Sequence, residues 1–180
     1  MPARQRWFDR KFELGLGPDA GTELLDRLRG APERLAEAVR GLPVEVLTRR
    51  PAAEAWSIQE NAGHLLDLDP LWDQRLDDYD AGAEALRPAD LDNRKTHEAR
   101  HNERDITEIV NEFRRIRGAF VDRLAGMTPA ELARTALHPR LRQPMSVADL
   151  CFFVAEHDDH HLRTIEELKA GAPDENSVAH

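Results

Sequence analysis

Four segments of the sequence repeat apolar residues at three- and four-residue steps, which aligns these side chains along one face of an α-helix. The segments cover about residues 19–40, 57–80, 106–126 and 146–171. No segment alternates apolar and polar residues as a half-buried strand does. A chain with four amphipathic helices buries their apolar faces by packing helix against helix. The sequence therefore predicts an all-α fold, an antiparallel four-helix bundle.

Capping residues indicate where several of these helices begin. Ser57 and Glu60 match a capping box, in which each side chain binds a backbone amide that the first turn leaves unpaired. Thr128 and Glu131 match a second box, which predicts a short helix of about two turns after the third long helix. Ser146 is the expected cap of the fourth long helix.

Prolines and polar stretches predict where the helices bend or end. Gly30-Ala31-Pro32 should kink the first helix or divide it in two, because proline lacks an amide donor and clashes with the preceding turn. Pro70 predicts a kink or a restart in the second helix. Residues 81–102 are polar and should form a long crossover between helices two and three. We expect a loop at residues 138–144 and a disordered tail after Gly171.

Length and charge limit the class of protein. A chain of 180 residues corresponds to about one domain, so we predict a single domain over residues 1–180 with its core at about 19–170. The net charge of −9 opposes binding to nucleic acid. No apolar run approaches the roughly 18 residues of a membrane span, and the N-terminus lacks the pattern of a secretory signal. We therefore expect a cytoplasmic protein with neither a membrane nor a nucleic-acid partner.

Two histidines interrupt the apolar stripe of the fourth helix. Because residues four apart share a helix face with Cβ atoms about 5–6 Å apart, His157 and His161 can converge on one point. His64, on the flank of the second helix's stripe, is the candidate for a third ligand. Three neutral imidazoles would hold one divalent metal ion at one end of the core and leave coordination positions open. The alternative is three core or surface histidines whose nitrogens bind other protein groups.

The remaining polar candidates have structural as well as functional interpretations. A second HxxxH pair, His97 and His101, is surrounded by charged residues, so we expect it on the surface or at a pocket rim. Glu60 and Asp158 lie near the candidate ligands and could act as general bases. Glu60 is also the capping residue, and Asp158 is either exposed or orients an imidazole.

The other histidines, the aromatic residues and the single cysteine are expected to be structural. His160 lies about 100° around the helix from its neighbours and should point elsewhere, and His138 should be a loop residue. One cysteine excludes a disulfide framework and a cysteine-only zinc site, so any metal must be held mainly by nitrogen and oxygen. We expect the following residues to be buried: Trp56, Trp72, Cys151 and Phe153.

Two runs of the sequence resemble the DinB-like (DinB/YfiT) superfamily. Residues 56–60 read WSIQE and are followed by His64, and residues 154–162 read VAEHDDHHL. The resemblance covers about residues 22–168. It implies a four-helix bundle, often dimeric, that binds nickel or zinc on one histidine of helix two and two histidines of helix four. In this sequence those positions are His64, His157 and His161.

The resemblance also implies what kind of function to expect. Its members include thiol-dependent transferases and isomerases as well as metal hydrolases. We therefore expect one nickel or zinc ion per chain, a homodimer, and a metal-dependent thiol S-transferase acting on a small molecule with a low-molecular-weight thiol. A metal-dependent hydrolase, or a non-catalytic metal-stabilised protein of stress response or interaction, stays open as an alternative.

Overall fold

The computed structural model describes residues 6–171, in which four long helices account for most of the ordered backbone. The helices are, in chain order, α1 (Gly21–Val39), α2 (Val44–Leu47), α3 (Ile58–Asp80), α4 (Arg94–Glu98), α5 (Ile106–Ala125), α6 (Pro129–Leu132) and α7 (Val147–Lys169). Short 3₁₀ turns span Trp7–Asp9, Pro18–Ala20 and His101–Glu103. Strands β1 (Thr135–Leu137) and β2 (Pro144–Ser146) form an antiparallel pair before α7.

The four long helices form the predicted four-helix bundle, in which α1 and α3 each pack against both α5 and α7. On α3 and α5, Asp69 binds Arg117 and Asp73 binds Arg123, so these two helices run in the same direction. Because parallel neighbours require the chain to return along the whole bundle, a long crossover must join them. Residues 81–105 form that crossover and carry the short helix α4.

Of the other packed pairs, α1 and α7 are also parallel, because Arg27 binds Glu156 and Arg34 binds Asp159 farther along both helices. The remaining two pairs are antiparallel. On α3 and α7, the rings of His64 and His161 lie 4.7 Å apart, and those of Trp72 and Phe153 lie 6.0 Å apart. Residue numbers therefore rise along α3 as they fall along α7. The same holds for α1 and α5, because Arg117 donates to the carbonyl of Leu28 whereas Arg114 binds Glu33 farther along α1.

The predicted helix starts are confirmed, since Ser57, Thr128 and Ser146 are all N-caps in full capping boxes. The proline predictions are partly wrong. Both α1 and α3 continue through Pro32 and Pro70, so neither helix is divided or restarted there. The two short strands were not predicted, because three residues are too few to show an alternating pattern. The tail after Gly171 lies outside the described residues.

The apolar core consists of two clusters with a polar layer between them. On α7, Phe153 belongs to one cluster and Ile165 to the other, and both HxxxH histidines lie between these positions. The expectation that the histidines lie at one end of the core is therefore wrong. The core also begins earlier than residue 19, because Trp7 and Phe12 are buried in the first cluster. No helix among residues 6–171 is long and apolar enough to cross a membrane.

Candidate metal centre

The structure brings the three predicted histidines together inside the bundle. His64 comes from α3, while His157 and His161 come from successive turns of α7, and all three are buried. One potential ligand atom from each lies within 4.8 Å of those from the other two. The ring centroids are 4.6–5.3 Å apart. No other group of three or more histidine, cysteine, aspartate or glutamate side chains in the described part of the chain converges in this way.

Hydrogen bonds fix the orientation of two of the imidazoles. Asn61 donates its Nδ2 to the carbonyl of Ser57, so its Oδ1 accepts from Nδ1 of His161 at 2.9 Å. Thr96 donates its hydroxyl to Asp67 at 2.9 Å and therefore accepts from Nδ1 of His64 at 3.0 Å. In both histidines the proton is then on Nδ1. Nε2 then carries the lone pair, and it is the nitrogen through which histidines oriented by neighbouring acceptors in this way bind metal ions.

The crossover completes this hydrogen-bonded network through His101. Its Nε2 lies 2.8 Å from Oδ2 of Asp67, the same oxygen that accepts from Thr96. The side chain of His101 is fully buried. The expectation that it lies on the surface or at a pocket rim is therefore wrong. The reason is that α4 ends at Glu98 and Arg100 adopts a left-handed conformation, φ 52°, which turns the following residue inward. His97 is exposed, as predicted.

A glycine on α3 makes room for this ring. A Cβ added to Gly63 would lie 2.2 Å from Cγ of His101. We therefore expect Gly63→Ala to displace the ring, break its contact with Asp67, and lower the free energy of unfolding by about 1–3 kcal/mol.

The matched control for this variant is Gly118→Ala in the interior of α5. A Cβ at Gly118 meets nothing within 4 Å. Alanine favours a helix over glycine by up to about 1 kcal/mol, so this variant should be as stable as the wild type or more stable. Urea unfolding measures both changes. Equal effects of the two substitutions would contradict the packing of His101 on Gly63.

A buried ion-pair network lies beside the histidines. Arg117 of α5 binds both oxygens of Asp69, at 2.6 and 3.0 Å, and also binds Asp158 at 3.0 Å. All three side chains are at most 2% exposed. Burial raises the pKa of Asp69 to about 6 and also raises the pKa of Asp158, while Arg117 opposes both shifts. The predicted roles of Asp158, exposed or orienting an imidazole, are therefore wrong, because its carboxylate binds Arg117.

The hydrogen-bond partners of Glu60 make it unsuited to act as a general base. Its Oε2 accepts from the amide of Ser57 and from Nε of Arg50, both at 2.9 Å. Burial raises the pKa of Glu60, but the hydrogen bonds from Arg50 and Ser57 outweigh it and lower that pKa overall. A carboxylate with two committed donors is a poor proton acceptor. The capping interpretation of Glu60 is confirmed.

The three histidines lie in the wall of a cavity of about 380 Å³. Its lining is mainly apolar and comes from α3, α7, the crossover, the N-terminal segment and the loop after β1. The aromatic and aliphatic lining residues include Trp7, Leu68, Leu71, Trp72 and Phe153. Trp72 and Phe153 are therefore core residues, as predicted, that also face the cavity. Cavities of this size and character hold small-molecule ligands.

Several further polar residues line the cavity and were missed from the sequence as site residues: Asp67, Arg75, Asp90, Asn93, Lys95, Thr96, His138 and Arg140. His138 is in a loop, as predicted, yet it is only 2% exposed. Cys151 does not line the cavity, and burial raises the pKa of its thiol to about 12. A thiol with so high a pKa is not a nucleophile at neutral pH.

Comparison with known proteins identifies the family. A family model described as the DinB superfamily matches residues 27–165. The chain belongs to the DinB superfamily. The matched residues include all three histidines of the candidate centre. The resemblance inferred from the sequence is confirmed.

Two proteins of Bacillus subtilis are similar to this chain. YuaE of strain 168, described as an uncharacterized protein, is 26% identical over 143 residues, which cover 73% of this chain and 88% of YuaE. The solved structure of YfiT is described as that of a probable metal-dependent hydrolase with an unusual four-helix bundle topology. It matches with a TM-score of 0.74 at 20% identity and covers 91% of this chain and 94% of YfiT. The likeness to YfiT confirms the four-helix bundle.

Proposed function

We propose that the protein binds one divalent metal ion on His64, His157 and His161 and is a metal-dependent enzyme that acts on a small molecule. The observation that carries this proposal is the convergence of three buried imidazoles in the wall of an otherwise apolar cavity. Burying polar groups costs free energy, whereas an ion shared among the three imidazoles would contribute binding free energy.

The residues fit such an ion. Nitrogens bound to a tetrahedral ion at about 2.0–2.1 Å lie about 3.3 Å apart, so three atoms now within 4.8 Å need to approach by roughly 1.5 Å at most. The group contains no carboxylate among the described residues, and an all-imidazole set suits zinc or nickel better than magnesium or calcium. We propose zinc or nickel on this basis.

The surroundings favour a catalytic ion over a structural one. A structural zinc site is closed by a fourth protein ligand, whereas a catalytic site keeps a position for substrate or water. Within residues 6–171 the group holds three potential ligands, and all three line the cavity. This arrangement supports the enzyme over the non-catalytic alternative.

For the reaction, we propose the transfer of a low-molecular-weight thiol. When bound, a zinc or nickel ion lowers the pKa of a thiol or water molecule beside it and polarises a carbonyl group. The carboxylates nearest the histidines are committed, Glu60 to Arg50 and Asp67 to Thr96 and His101. Asp90, which also lines the cavity, accepts from Arg94. Because the carboxylates among the described lining residues already have donors, a nucleophile that ionises readily is favoured. An external thiol fits that requirement, because Cys151 is buried away from the cavity.

Hydrolysis is the second candidate, since YfiT is described as a probable metal-dependent hydrolase and the cavity admits small molecules. A paired assay distinguishes the two reactions. Protein loaded with zinc or nickel is given an aryl halide with a panel of low-molecular-weight thiols, and separately an activated ester without a thiol. Thiol-dependent release of halide supports transfer, and thiol-independent cleavage of the ester supports hydrolysis. If neither activity exceeds that of His157→Ala, the result supports the non-catalytic alternative.

We also propose a cytoplasmic location, because low-molecular-weight thiols stay reduced in the cytoplasm.

We further propose that the protein is a homodimer. The support is the family resemblance together with the prevalence of two-fold dimers among soluble oligomers. Light scattering at micromolar concentration is expected to give twice the mass of one chain. A mass equal to that of one chain would contradict the proposal.

A further inference from the structure

One wall of the cavity carries a buried cation without a carboxylate partner. Arg75 of α3 is 1% exposed, and none of the ion pairs among residues 6–171 includes it. Its Nε donates to the carbonyl of Arg87 at 3.2 Å, and its Nη1 lies 3.3 Å from Nε2 of His138. A guanidinium has five N–H donors. The guanidinium also lies 5.3 Å from the ring centroid of Trp72. Because buried charges are normally paired, an acceptor in the cavity would satisfy the remaining donors of Arg75.

The contact with His138 does not satisfy Arg75. The amide of Leu141 donates to Nδ1 of His138 at 3.1 Å, so this nitrogen is the acceptor of the ring and Nε2 carries the proton. Burial, together with the charges of Arg75 and Arg140, lowers the pKa of His138 to about 3, which keeps the ring neutral. Nε2–H of His138 and Nη1–H of Arg75 are therefore two donors that face each other. An oxygen atom with lone pairs placed beside both would satisfy them.

Arg140 adds a second cation to the same wall. Its guanidinium lies over the rings of Phe8 and Phe153, at 5.2 and 5.9 Å from their centroids, and no ion pair among the described residues includes it. Its Nη2 is buried and has no hydrogen-bond partner in the described part of the chain. The wall thus concentrates two arginines and a histidine donor in a chain whose net charge is −9. Such a cluster of donors is complementary to an anion.

We propose that Arg75, His138 and Arg140 form a binding site for the carboxylate of an otherwise apolar substrate. This inference rests on the proposed function, because it takes the cavity beside the three histidines as the substrate site. Trp7, Leu71 and other apolar lining residues contact the body of the substrate, while the donors orient its carboxylate. A singly charged carboxylate suits the wall better than a doubly charged phosphate, because a second charge in a mainly apolar cavity costs more desolvation.

The test compares three ligands that share a benzyl group and differ in the polar group attached to it. Phenylacetate, the neutral phenylacetamide and the dianionic benzylphosphonate are titrated into the full chain by calorimetry, after a chelator has removed any metal. Chelation prevents the ligands from binding an ion at the histidines. Phenylacetate is expected to bind at least about tenfold more tightly than phenylacetamide, the usual effect of a hydrogen bond to a charged group. It should also bind more tightly than benzylphosphonate.

Variants locate the source of that preference. Arg75→Met and Arg140→Gln should each reduce the preference for phenylacetate over phenylacetamide to about threefold or less. Arg87→Gln should retain the preference of the wild type. Arg87 is a suitable control because its side chain binds Asp78 and does not line the cavity. If Arg75→Met fails to fold, the half-buried Arg140 still tests the site. Equal binding of acid and amide, a preference that survives Arg140→Gln, or tighter binding of benzylphosphonate would overturn the inference.

Metal loading of the same wild-type sample separates this inference from the proposed function. A carboxylate preference in a protein that binds no metal would support the carboxylate site and contradict the metal enzyme. Metal binding without a carboxylate preference would contradict the carboxylate site alone.

Discussion

Arg117→Met is expected to lower the free energy of unfolding by about 3–5 kcal/mol, because it leaves Asp69 and Asp158 buried without their shared cation. Both carboxylates are at most 2% exposed, so water cannot replace the guanidinium without opening the bundle. Methionine preserves most of the side-chain volume, and the loss therefore reports on charge rather than on a cavity. Urea unfolding followed by circular dichroism measures it.

Arg114→Met on the same helix is the control for Arg117→Met. Arg114 pairs with Glu33 on the surface, where solvent screens the interaction, so this variant should unfold close to the wild type. The triple variant Arg117→Met with Asp69→Leu and Asp158→Leu should regain most of the stability, because it removes the buried charges together. If Arg117→Met and Arg114→Met behaved alike, the buried network would not be a determinant of stability.

Zinc or nickel at about a thousandfold excess over its dissociation constant is expected to stabilise the wild type by about 4 kcal/mol. For a chain of this size that corresponds to a rise in Tm of roughly 8–16 °C. The physical reason is mass action, because the three imidazoles converge only in the folded chain. His157→Ala should lose most of this rise, since it removes one of three ligands. His97→Ala should keep it, because His97 is exposed and outside the group.

The features that were predictable from the sequence are those that depend on local interactions. The capping boxes at Ser57 and Ser146 involve residues only three positions apart, and helix faces follow from spacing along one segment. His157 and His161 lie on one face for the same reason. Placing His64 beside them required the packing of two helices, and the family resemblance supplied that.

The polar residues of the core were harder to predict, although their positions carry a signal. Arg117 lies four residues after Phe113 and three before Phe120, within the apolar stripe of α5. Asp69 and Asp158 occupy equivalent positions on α3 and α7. A charged residue inside an apolar stripe indicates a buried pair, but the sequence alone does not name its partner, because the three residues come from three helices.

His101 could not be placed from the sequence because its environment is set by a change in backbone direction. The helical spacing of the second HxxxH pair applies only within a continuous helix, and α4 ends before His101. The inward turn depends on the left-handed residue Arg100 and on space at Gly63. Arg75 and His138 pose the same difficulty, since their contact joins residues 63 positions apart.

Metal analysis of the purified protein after loading with zinc or nickel and removal of excess ion tests the central claim most directly. The wild type and His97→Ala are expected to retain close to one ion per chain, and His157→Ala far less. Absence of metal from the wild type would contradict the three-histidine centre. Retention by His157→Ala together with loss from His97→Ala would place the ion at the other HxxxH pair and contradict it equally.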